Sequence, residues 1–312
     1  MVPTAKEIEQ DRRYVNKVIT RLNELDFSLT DLEPMPAPGK VLVVNPSEFE
    51  VKYVINPHME GHIGDIDKDA ALREWTALRN GYKELGLYVH EIDGATGYPD
   101  MVFCANQSLP NITKDGKKEV VMSVMHAPQR KGEVPHIQEV YEESSYEIVY
   151  LDEEKFTDFE GMGDAIWHFK KRLIWGGYGY RSTKDVYAHI SETFKTPVVA
   201  LELVDEKFYH LDTCLCVLNE ETVLIYPRAF SEEGLELIRT LVPNVIEANT
   251  YEAEELFACN ATCPDGKNVF IQSGCKEANQ AMEEAGFVVH EYDTNEYLKS
   301  GGSVFCMKMM LW

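Results

Sequence analysis

The sequence predicts one α/β domain in which pairs of short strands alternate with single helices around a shared core. Short β-like runs and helical patterns alternate through most of the 312 residues, too regularly for two independent cores. A strand pair followed by one helix recurs roughly every 50 to 60 residues, which is typical of repeated ββαβ units. No self-similar sequence repeat accompanies that recurrence. Hydrophobic residues make up 44% of the chain, enough for a large interior.

The N-terminal region is predicted as an amphipathic helix over residues 5–25. A capping box, Thr4-x-x-Glu7, opens it. Its apolar positions recur at helical spacing: Ile8, Val15, Val18, Ile19 and Leu22. A proline-rich link over residues 33–39 follows the helix and ends it.

Beyond the link, local patterns predict the remaining elements in order. Strands are expected at 40–44, 50–54, 88–92, 101–104, 119–123, 147–151, 172–175, 198–203, 214–218, 222–226, 268–271, 288–292 and 303–311. Helices are expected at 67–85, 137–144, 184–194, 232–241, 251–257, 276–285 and 295–299. Ser231, Thr250 and Thr294 stand where N-caps are expected, and Gly286 and Gly301 stand where helices should end.

The charge and composition exclude several classes of partner. The chain carries 53 acidic and 30 basic residues, a formal net charge of −23, which opposes binding to nucleic acid or to an anionic membrane. No apolar run reaches the length of a spanning helix, and the N-terminus lacks the pattern of a secretory signal. We therefore expect a cytoplasmic protein with neither a nucleic acid nor a membrane as partner.

The cysteines indicate free thiols. Seven cysteines are an odd number spread over a large chain, which fits a reducing compartment better than a disulfide framework. Two close pairs, Cys214 with Cys216 and Cys259 with Cys263, suggest a metal site. Their spacing differs from the two-residue knuckle of zinc sites and their neighbours are typical of strand cores, so we predict no metal.

Cys306 and His210 are the leading candidates for catalysis. A cysteine nucleophile reacts as thiolate and needs a nearby proton acceptor and donor, a task that imidazole suits near neutral pH. Cys306 follows Gly301 and Gly302, which are poor material for a strand core. His210 is followed two residues later by Asp212, which would place both side chains on one face of a strand. We predict that the thiol, the imidazole and the carboxylate share one site.

Five ordered motifs carry a resemblance to a known superfamily. They are Pro-Asp-Met-Val-Phe-Cys-Ala-Asn at 99–106, Glu-Gly-Met-Gly-Asp at 160–164, Gly-Tyr-Gly-Tyr-Arg-Ser-Thr at 177–183, His-Leu-Asp-Thr at 210–213 and Gly-Gly-x-x-x-Cys at 301–306. Their wording and order resemble the guanidino-group-modifying enzymes, the pentein or amidinotransferase superfamily. The resemblance runs from about residue 41 to 311 and is closest to the branch of arginine dihydrolase and dimethylarginine dimethylaminohydrolase.

This resemblance implies a fold and a domain division. It implies an α/β five-bladed propeller of pseudo-fivefold ββαβ modules, with the active site in its central channel. Residues 1–39 would form the N-terminal helix and link, and residues 40–312 would form a single pentein catalytic domain. The repeated strand and helix pattern agrees with that expectation.

The resemblance also implies catalytic roles. Cys306 would attack the guanidinium carbon, and His210 would protonate the departing amine and then deprotonate water. Glu160 and Asp212 would hold the planar cation through charge-assisted hydrogen bonds. The product would leave from a covalent amidino-thioether, and no metal or organic cofactor is required.

Three further residues are expected to bind substrate by the same resemblance. Asn106 stands where arginine deiminase has an aspartate, as in the dihydrolase branch, so a second hydrolysis to ornithine is chemically plausible. Asp100 resembles an acid that contacts substrate, and Arg181 resembles the arginine that binds the substrate α-carboxylate. Val124 stands where a second arginine is common, so either Arg130 or Arg181 takes over that role, or the substrate lacks an ordinary amino-acid head.

We therefore expect a cysteine hydrolase acting on arginine or an arginine derivative, giving citrulline, ornithine or both, with ammonia. Its partner is the small guanidino substrate, and a homo-oligomer is compatible with the sequence. Two alternatives remain open at this point. An amidinotransferase would let an amine intercept the thioether, and a non-catalytic pentein would bind a partner on the same scaffold.

Overall fold

The computed structural model describes residues 14–312, which form a mixed α/β fold. The strands are β1 Val18–Ile19, β2 Lys40–Val44, β3 Tyr88–Ile92, β4 Ser108–Ile112, β5 Lys118–Met122, β6 Glu147–Val149, β7 Ala165–Trp167, β8 Ile174–Tyr178, β9 Val198–Glu202, β10 Leu215–Val217, β11 Thr222–Ile225, β12 Asn244–Glu247, β13 Asn268–Gln272, β14 Val288–Tyr292 and β15 Met309–Leu311. The α-helices are α1 Lys68–Glu84, α2 Val134–Glu143, α3 Gly161–Asp164, α4 Val186–Phe194, α5 Glu232–Leu241, α6 Thr250–Glu254, α7 Lys276–Glu284 and α8 Asn295–Leu298.

The strands of the described residues form five separate sheets. Their orders are β15-β2-β3, β4-β5-β6, β1-β9-β8-β7, β10-β11-β12 and β13-β14. Each sheet is small, so its strands bury their faces against helices and neighbouring sheets rather than against a long sheet of their own. Most of the buried hydrophobic side chains belong to one continuous cluster that touches all five sheets.

One connection pattern repeats in every sheet. In the second sheet, β4 pairs antiparallel with β5, the chain crosses over through α2, and β6 returns parallel to β5. The β7-β8-α4-β9 and β10-β11-α5-β12 segments repeat it. Ahead of β13, a single bridge residue, Thr262, takes the place of the first strand and pairs antiparallel with Phe270. These segments confirm the predicted ββαβ units.

The C-terminal strand joins the sheet that contains β2 and β3. The C-terminal strand β15 pairs antiparallel with β2, and β3 lies parallel on the other side of β2 after the long helix α1. The fifth ββαβ unit is therefore assembled from distant parts of the chain. None of the helices within residues 14–312 has the length and apolar character needed to cross a membrane.

The predicted N-terminal helix is wrong where the structure describes it. Residues 5–13 lie outside the described part of the chain, and residues 14–25 form β1 and a 3-10 turn, Leu22–Glu24, instead of a helix. Val18 and Ile19 pair in parallel with Val198 and Val199. Two adjacent β-branched residues fit a sheet edge well, so tertiary pairing overrides the helical spacing.

Candidate active site

The candidate site lies where the segments before the first strands of four ββαβ units, β4, β7, β10 and β15, converge. Asn106 precedes β4, Glu160 precedes β7, His210 and Asp212 precede β10, and Cys306 precedes β15. Asn106, His210 and Cys306 line a cavity, called the site cavity below, and Glu160 and Asp212 lie behind them. The site cavity is lined by Ile55, Asn56, Met59, Asp100, Phe103, Asn106, Arg130, Arg181, Tyr209, His210, Ser300, Gly301 and Cys306. Residues far apart in sequence thus meet because each of these ββαβ units places the segment before its first strand beside the same cavity.

Cys306 is buried beside hydrophobic residues such as Phe103 and Val304, but its sulfur contacts two polar side chains. Its Sγ lies 3.1 Å from Oδ2 of Asp212, to which it donates, and it accepts a hydrogen bond from Nδ2 of Asn260 at 3.1 Å. Burial, reinforced by the charge of Asp212, raises the pKa of the Cys306 thiol well above its ordinary value. Without a bound cation, the cysteine is therefore a neutral thiol.

His210 is paired with a carboxylate. Its Nε2 lies 2.6 Å from Oε2 of Glu160, and Oε1 of Glu160 accepts from the backbone N–H of His126 at 2.9 Å. Burial alone would raise the pKa of Glu160, but the hydrogen bond and charge of His210, with the charge of Arg181, lower it to about 2. Glu160 is therefore ionised and fixes the orientation of the ring.

Two predicted substrate contacts have unused hydrogen-bonding atoms. Oδ1 of Asp212 and Nδ2 of Asn106 are buried, and neither has a hydrogen-bond partner among the described residues. Unsatisfied polar atoms in an interior are rare and costly. Burial raises the pKa of Asp212 to about 7. This carboxylate and this amide are the groups that a cationic, planar ligand would satisfy.

The geometry around His210 and Asp212 differs from the prediction. The two residues do not lie on a strand. His210 immediately precedes a 3-10 turn, Leu211–Thr213, that contains Asp212. The turn directs the imidazole to Glu160 and the carboxylate to Cys306. Both acids lie directly behind the residues that line the site cavity and are themselves 0% exposed.

Asp100 and Arg181 lie at the site cavity, as expected for substrate contacts. Asp100 accepts from Tyr53 at 2.7 Å and from Ser300 at 3.2 Å, and burial raises its pKa. The Arg181 guanidinium stacks on Tyr209 with 4.9 Å between its carbon and the ring centroid. It also donates to the carbonyl of Ile55.

Arg130 is occupied by the protein. It donates to Glu133 through Nε and Nη2, to Oδ1 of Asn106 at 2.9 Å through Nη1, and to the carbonyls of Asp100 and Phe103 through Nη2. Its geometry fits a residue that orients Asn106 rather than one that awaits a carboxylate. Of the two arginines considered for the substrate head, Arg181 is the better placed.

Val124 does not line the site cavity. It exchanges two backbone hydrogen bonds with Phe159, at 3.0 and 2.8 Å. Its side chain instead faces a separate cavity beside Met122 and Leu151. The valine at this position therefore gives no information about the head of the substrate.

Asn260 is the site residue that sequence reasoning missed. Its Nδ2 reaches Sγ of Cys306 and the carbonyl of Asp212, and its Oδ1 accepts from the N–H of Ser303 and of Cys306. It precedes Thr262, the bridge residue of its unit, as Asn106 precedes β4. A signal was present, since Phe-Ala-Cys-Asn at 257–260 parallels Phe-Cys-Ala-Asn at 103–106.

The cysteines that suggested a metal site, Cys214, Cys216, Cys259 and Cys263, are all buried thiols. All seven cysteines are free and buried. Within residues 14–312, no group of three or more His, Cys, Asp or Glu side chains has the arrangement of a metal site.

Comparison with known proteins places the chain in a family. The family model described as N,N dimethylarginine dimethylhydrolase, eukaryotic, matches residues 50–312. The bifunctional arginine dihydrolase/ornithine cyclodeaminase ArgZ of Synechocystis is 35% identical over 272 residues, which cover 86% of this chain and 37% of ArgZ. The chain therefore spans little more than a third of that relative. The dimethylarginine dimethylaminohydrolase of Mycobacterium tuberculosis is 34% identical, over 87% of this chain and 85% of its own length.

Solved structures agree with these sequence relatives. The N-terminal domain of ArgZ bound to substrate matches with a TM-score of 0.82 and 34% identity, covering 87% of this chain and 97% of that domain. A dimethylarginine dimethylaminohydrolase with a bound S-methyl-L-thiocitrulline adduct shares the fold with a TM-score of 0.72 at 18% identity. The chain belongs to the N,N dimethylarginine dimethylhydrolase family, whose members are hydrolases acting on the C–N bonds of amidines.

Proposed function

We propose that this protein hydrolyses arginine at Cys306 by the dihydrolase route, giving ornithine, two molecules of ammonia and carbon dioxide. One observation carries the proposal. A thiol, an imidazole held by a carboxylate, and two unpartnered buried polar atoms meet at one cavity. We also infer that the five sheets surround this cavity as the blades of a five-bladed propeller, which their repeated connection pattern supports.

The first step of the proposal uses the substrate to activate the thiol. The guanidinium displaces the thiol of Cys306 from Asp212 and pairs with Oδ1 and Oδ2 of that carboxylate. The arriving cation opposes the negative field that now keeps the Cys306 pKa high, so the thiol gives its proton to His210 and becomes a thiolate. The thiolate attacks the central carbon, and His210 donates a proton to the ammonia that leaves.

The second step hydrolyses the amidino-thioether. His210, now neutral and oriented by Glu160, takes a proton from water as the water attacks the same carbon and releases Cys306. The resulting citrulline carries a neutral ureido group. Asn106, whose Nδ2 lacks a partner, can donate to the ureido oxygen, and a second attack releases another ammonia. The remaining carbamate loses carbon dioxide and leaves ornithine.

The amino-acid head of the substrate would lie between Arg181 and Asp100. Arg181 supplies a cation for the α-carboxylate, and Asp100 supplies an acceptor for the α-ammonium. The free, buried thiols fit a reducing compartment, which supports a cytoplasmic location for this reaction.

Product analysis by mass spectrometry tests the proposal. Arginine, methylated arginines, agmatine and citrulline are incubated separately with the protein, with and without glycine as acceptor. Ornithine from arginine supports the dihydrolase route, whereas citrulline alone would show that the reaction stops at deimination. Transfer of the amidino group to glycine would indicate an amidinotransferase, and no turnover of any compound would indicate a binding protein.

Cys306→Ser should abolish ornithine formation, because a serine hydroxyl is a far weaker nucleophile than a cysteine thiolate. The matched control is Cys275→Ser, which alters another buried, free thiol away from the site cavity. Retained turnover in Cys306→Ser would reject covalent catalysis by this residue.

A further inference from the structure

A second cavity lies beside β7, β10 and β15, which contribute Trp167, Val217 and Met310 to its lining. No residue lines both this second cavity and the site cavity. Phe305 and Lys308 line the second cavity, while Cys306 between them lines the site cavity. The walls of the second cavity are largely aromatic and aliphatic, with Trp167, Phe169 and Trp312 among them.

Lys308 is the one Lys or Arg side chain in the lining of the second cavity. It is 1% exposed, and its ammonium lies 3.2 Å from the centroid of the Phe305 ring. Within residues 14–312, no carboxylate oxygen lies within 4.0 Å of the Lys308 Nζ, the limit for an ion pair. Nζ also has no hydrogen-bond acceptor among these residues. Burial lowers the pKa of Lys308 to about 8, and the nearby charge of Asp212 only partly opposes that effect.

An ammonium in such surroundings is costly unless an anion pairs with it. The indole N–H groups and the imidazole of the lining are already engaged, with Trp167 donating to Pro110 and Trp312 donating to Pro36. His168 contacts the carbonyl of Glu220 through Nε2 and accepts from Trp175 through Nδ1. A multivalent anion such as phosphate would leave most of its oxygens without donors here. A singly charged carboxylate on an apolar body matches one cation among apolar walls.

We propose that the second cavity binds an apolar monocarboxylate, with its carboxylate on Lys308 and its hydrocarbon against Trp167, Phe169 and Trp312. Small-molecule sites are concave and mostly apolar, as this cavity is, and a saturated chain of about ten carbons is a suitable probe. The carboxylate would supply the missing partner of Lys308 through a charge-assisted hydrogen bond. The hydrocarbon would gain by leaving water.

Titration with decanoate tests the proposal directly, by calorimetry and by the fluorescence of the lining tryptophans. Decan-1-ol is the neutral counterpart of the probe. Wild-type protein should bind decanoate more tightly than decan-1-ol. Lys308→Met, which preserves side-chain length without charge, should weaken decanoate by about tenfold or more and change decan-1-ol by less than about threefold. Lys117→Met, at an exposed lysine, should leave both affinities unchanged.

A second variant keeps the test decisive if Lys308→Met folds poorly. Val217→Phe adds bulk to the wall of the second cavity and should weaken decanoate and decan-1-ol together. Equal affinities of wild-type protein for decanoate and decan-1-ol would overturn the proposal, since Lys308 would then serve only to offset the charge of Asp212. No binding of decanoate at millimolar concentration would also overturn it. Both readouts measure binding alone, so they stand or fall independently of arginine turnover.

Discussion

At the scale of single residues, Asn260 connects the nucleophile to the carboxylate beside it. One amide side chain makes four hydrogen bonds, to Sγ of Cys306, to the carbonyl of Asp212, and to two backbone N–H groups of residues 303–306. All of these groups are buried. Loss of the amide would leave several of them unsatisfied and would free the cysteine to adopt other rotamers.

Asn260→Ala should reduce kcat/KM for arginine by about a hundredfold and the free energy of unfolding by about 2 kcal/mol. Asn219→Ala is the matched control, because Asn219 bonds only a neighbouring backbone N–H in an exposed turn. Steady-state kinetics and urea unfolding measure the two effects. Unchanged kinetics in Asn260→Ala would show that the amide does not position the nucleophile.

The pKa values of the two acids behind the site cavity, Glu160 and Asp212, shift in opposite directions, and the shifts have opposite consequences for stability. Glu160, with its pKa lowered to about 2, stabilises the fold above its ordinary pKa and loses that contribution as the pH falls toward 2. Asp212, with its pKa raised to about 7, is costly when ionised. Its cost is absent below its ordinary pKa near 4, grows as the pH rises, and is complete above about 7.

Asp212→Asn should therefore be more stable than the wild type at pH 8, and the difference should shrink toward zero near pH 4. The comparison isolates Asp212, since other buried acids are common to both proteins. Thermal unfolding across this pH range measures the difference. The same variant should lose turnover, because a neutral amide cannot pair with a guanidinium in the same way. A stability difference independent of pH would contradict the proposed ionisation.

Much of the candidate site could be predicted from residues that stand in distinctive motifs. Cys306, His210, Asp100 and Arg181 all lie at the site cavity, although the sequence could not assign their roles by itself. Asn260 was missed because its neighbours, two cysteines and two alanines, look like strand core. Its function depends on contacts with residues more than 40 positions away, which no local pattern reveals.

At the scale of elements, the segments before the first strand of each ββαβ unit set the geometry of the site. Gly301 has a φ of +81°, and a Cβ there would lie 2.8 Å from Oδ1 of Asn56 and 2.8 Å from the hydroxyl of Tyr209. Asn56 and Tyr209 both line the site cavity. The glycine therefore permits both a left-handed turn and a close approach of three segments.

Gly301→Ala should lower the free energy of unfolding by more than the backbone strain of an alanine at positive φ would by itself. It should also lower turnover at least about tenfold. The matched control is Gly286→Ala, where φ is +92° and no heavy atom lies within 4 Å of the added Cβ. That variant should cost about 1 kcal/mol and leave activity intact. Thermal unfolding and kinetics on both variants make the comparison. Equal effects of the two substitutions would contradict a role for close packing at Gly301.

Sequence patterns predicted most elements of the ββαβ units but failed at residues 50–54, 101–104 and 108–112. The predicted strands at 40–44, 88–92 and 288–292 match the structure without adjustment. Residues 50–54 form no strand, and residues 101–104 belong to a 3-10 turn and its end. Strand β4 was missed because Pro110 stands inside it, which is tolerated here because β4 is at the edge of its sheet.

At the scale of the whole molecule, the pairing of β15 with β2 joins the C-terminal segment to residues 40–44. Trp312, after β15, donates from its indole N–H to the carbonyl of Pro36 and from its backbone N–H to Tyr146. Cys306 lies three residues before β15. The position of the nucleophile therefore depends on closure between distant parts of the chain.

Deletion of residues 309–312 should lower the thermal midpoint strongly and abolish turnover, because it bares the edge of β2 and releases the segment that carries Cys306. Deletion of Trp312 alone is the control and should have a smaller effect on both. Hydrogen exchange should show lost protection in β2 only for the longer deletion. Full protection of β2 in that variant would contradict the role of this closure.

The proposed function requires a covalent bond between Cys306 and the guanidino carbon of arginine. Rapid acid quenching of a mixture with arginine, followed by intact-protein and peptide mass spectrometry, detects that bond. An amidino adduct is expected on the peptide that contains Cys306, present in Cys275→Ser and absent in Cys306→Ser. Consumption of arginine by Cys306→Ser, or an adduct confined to another cysteine, would contradict the proposed function.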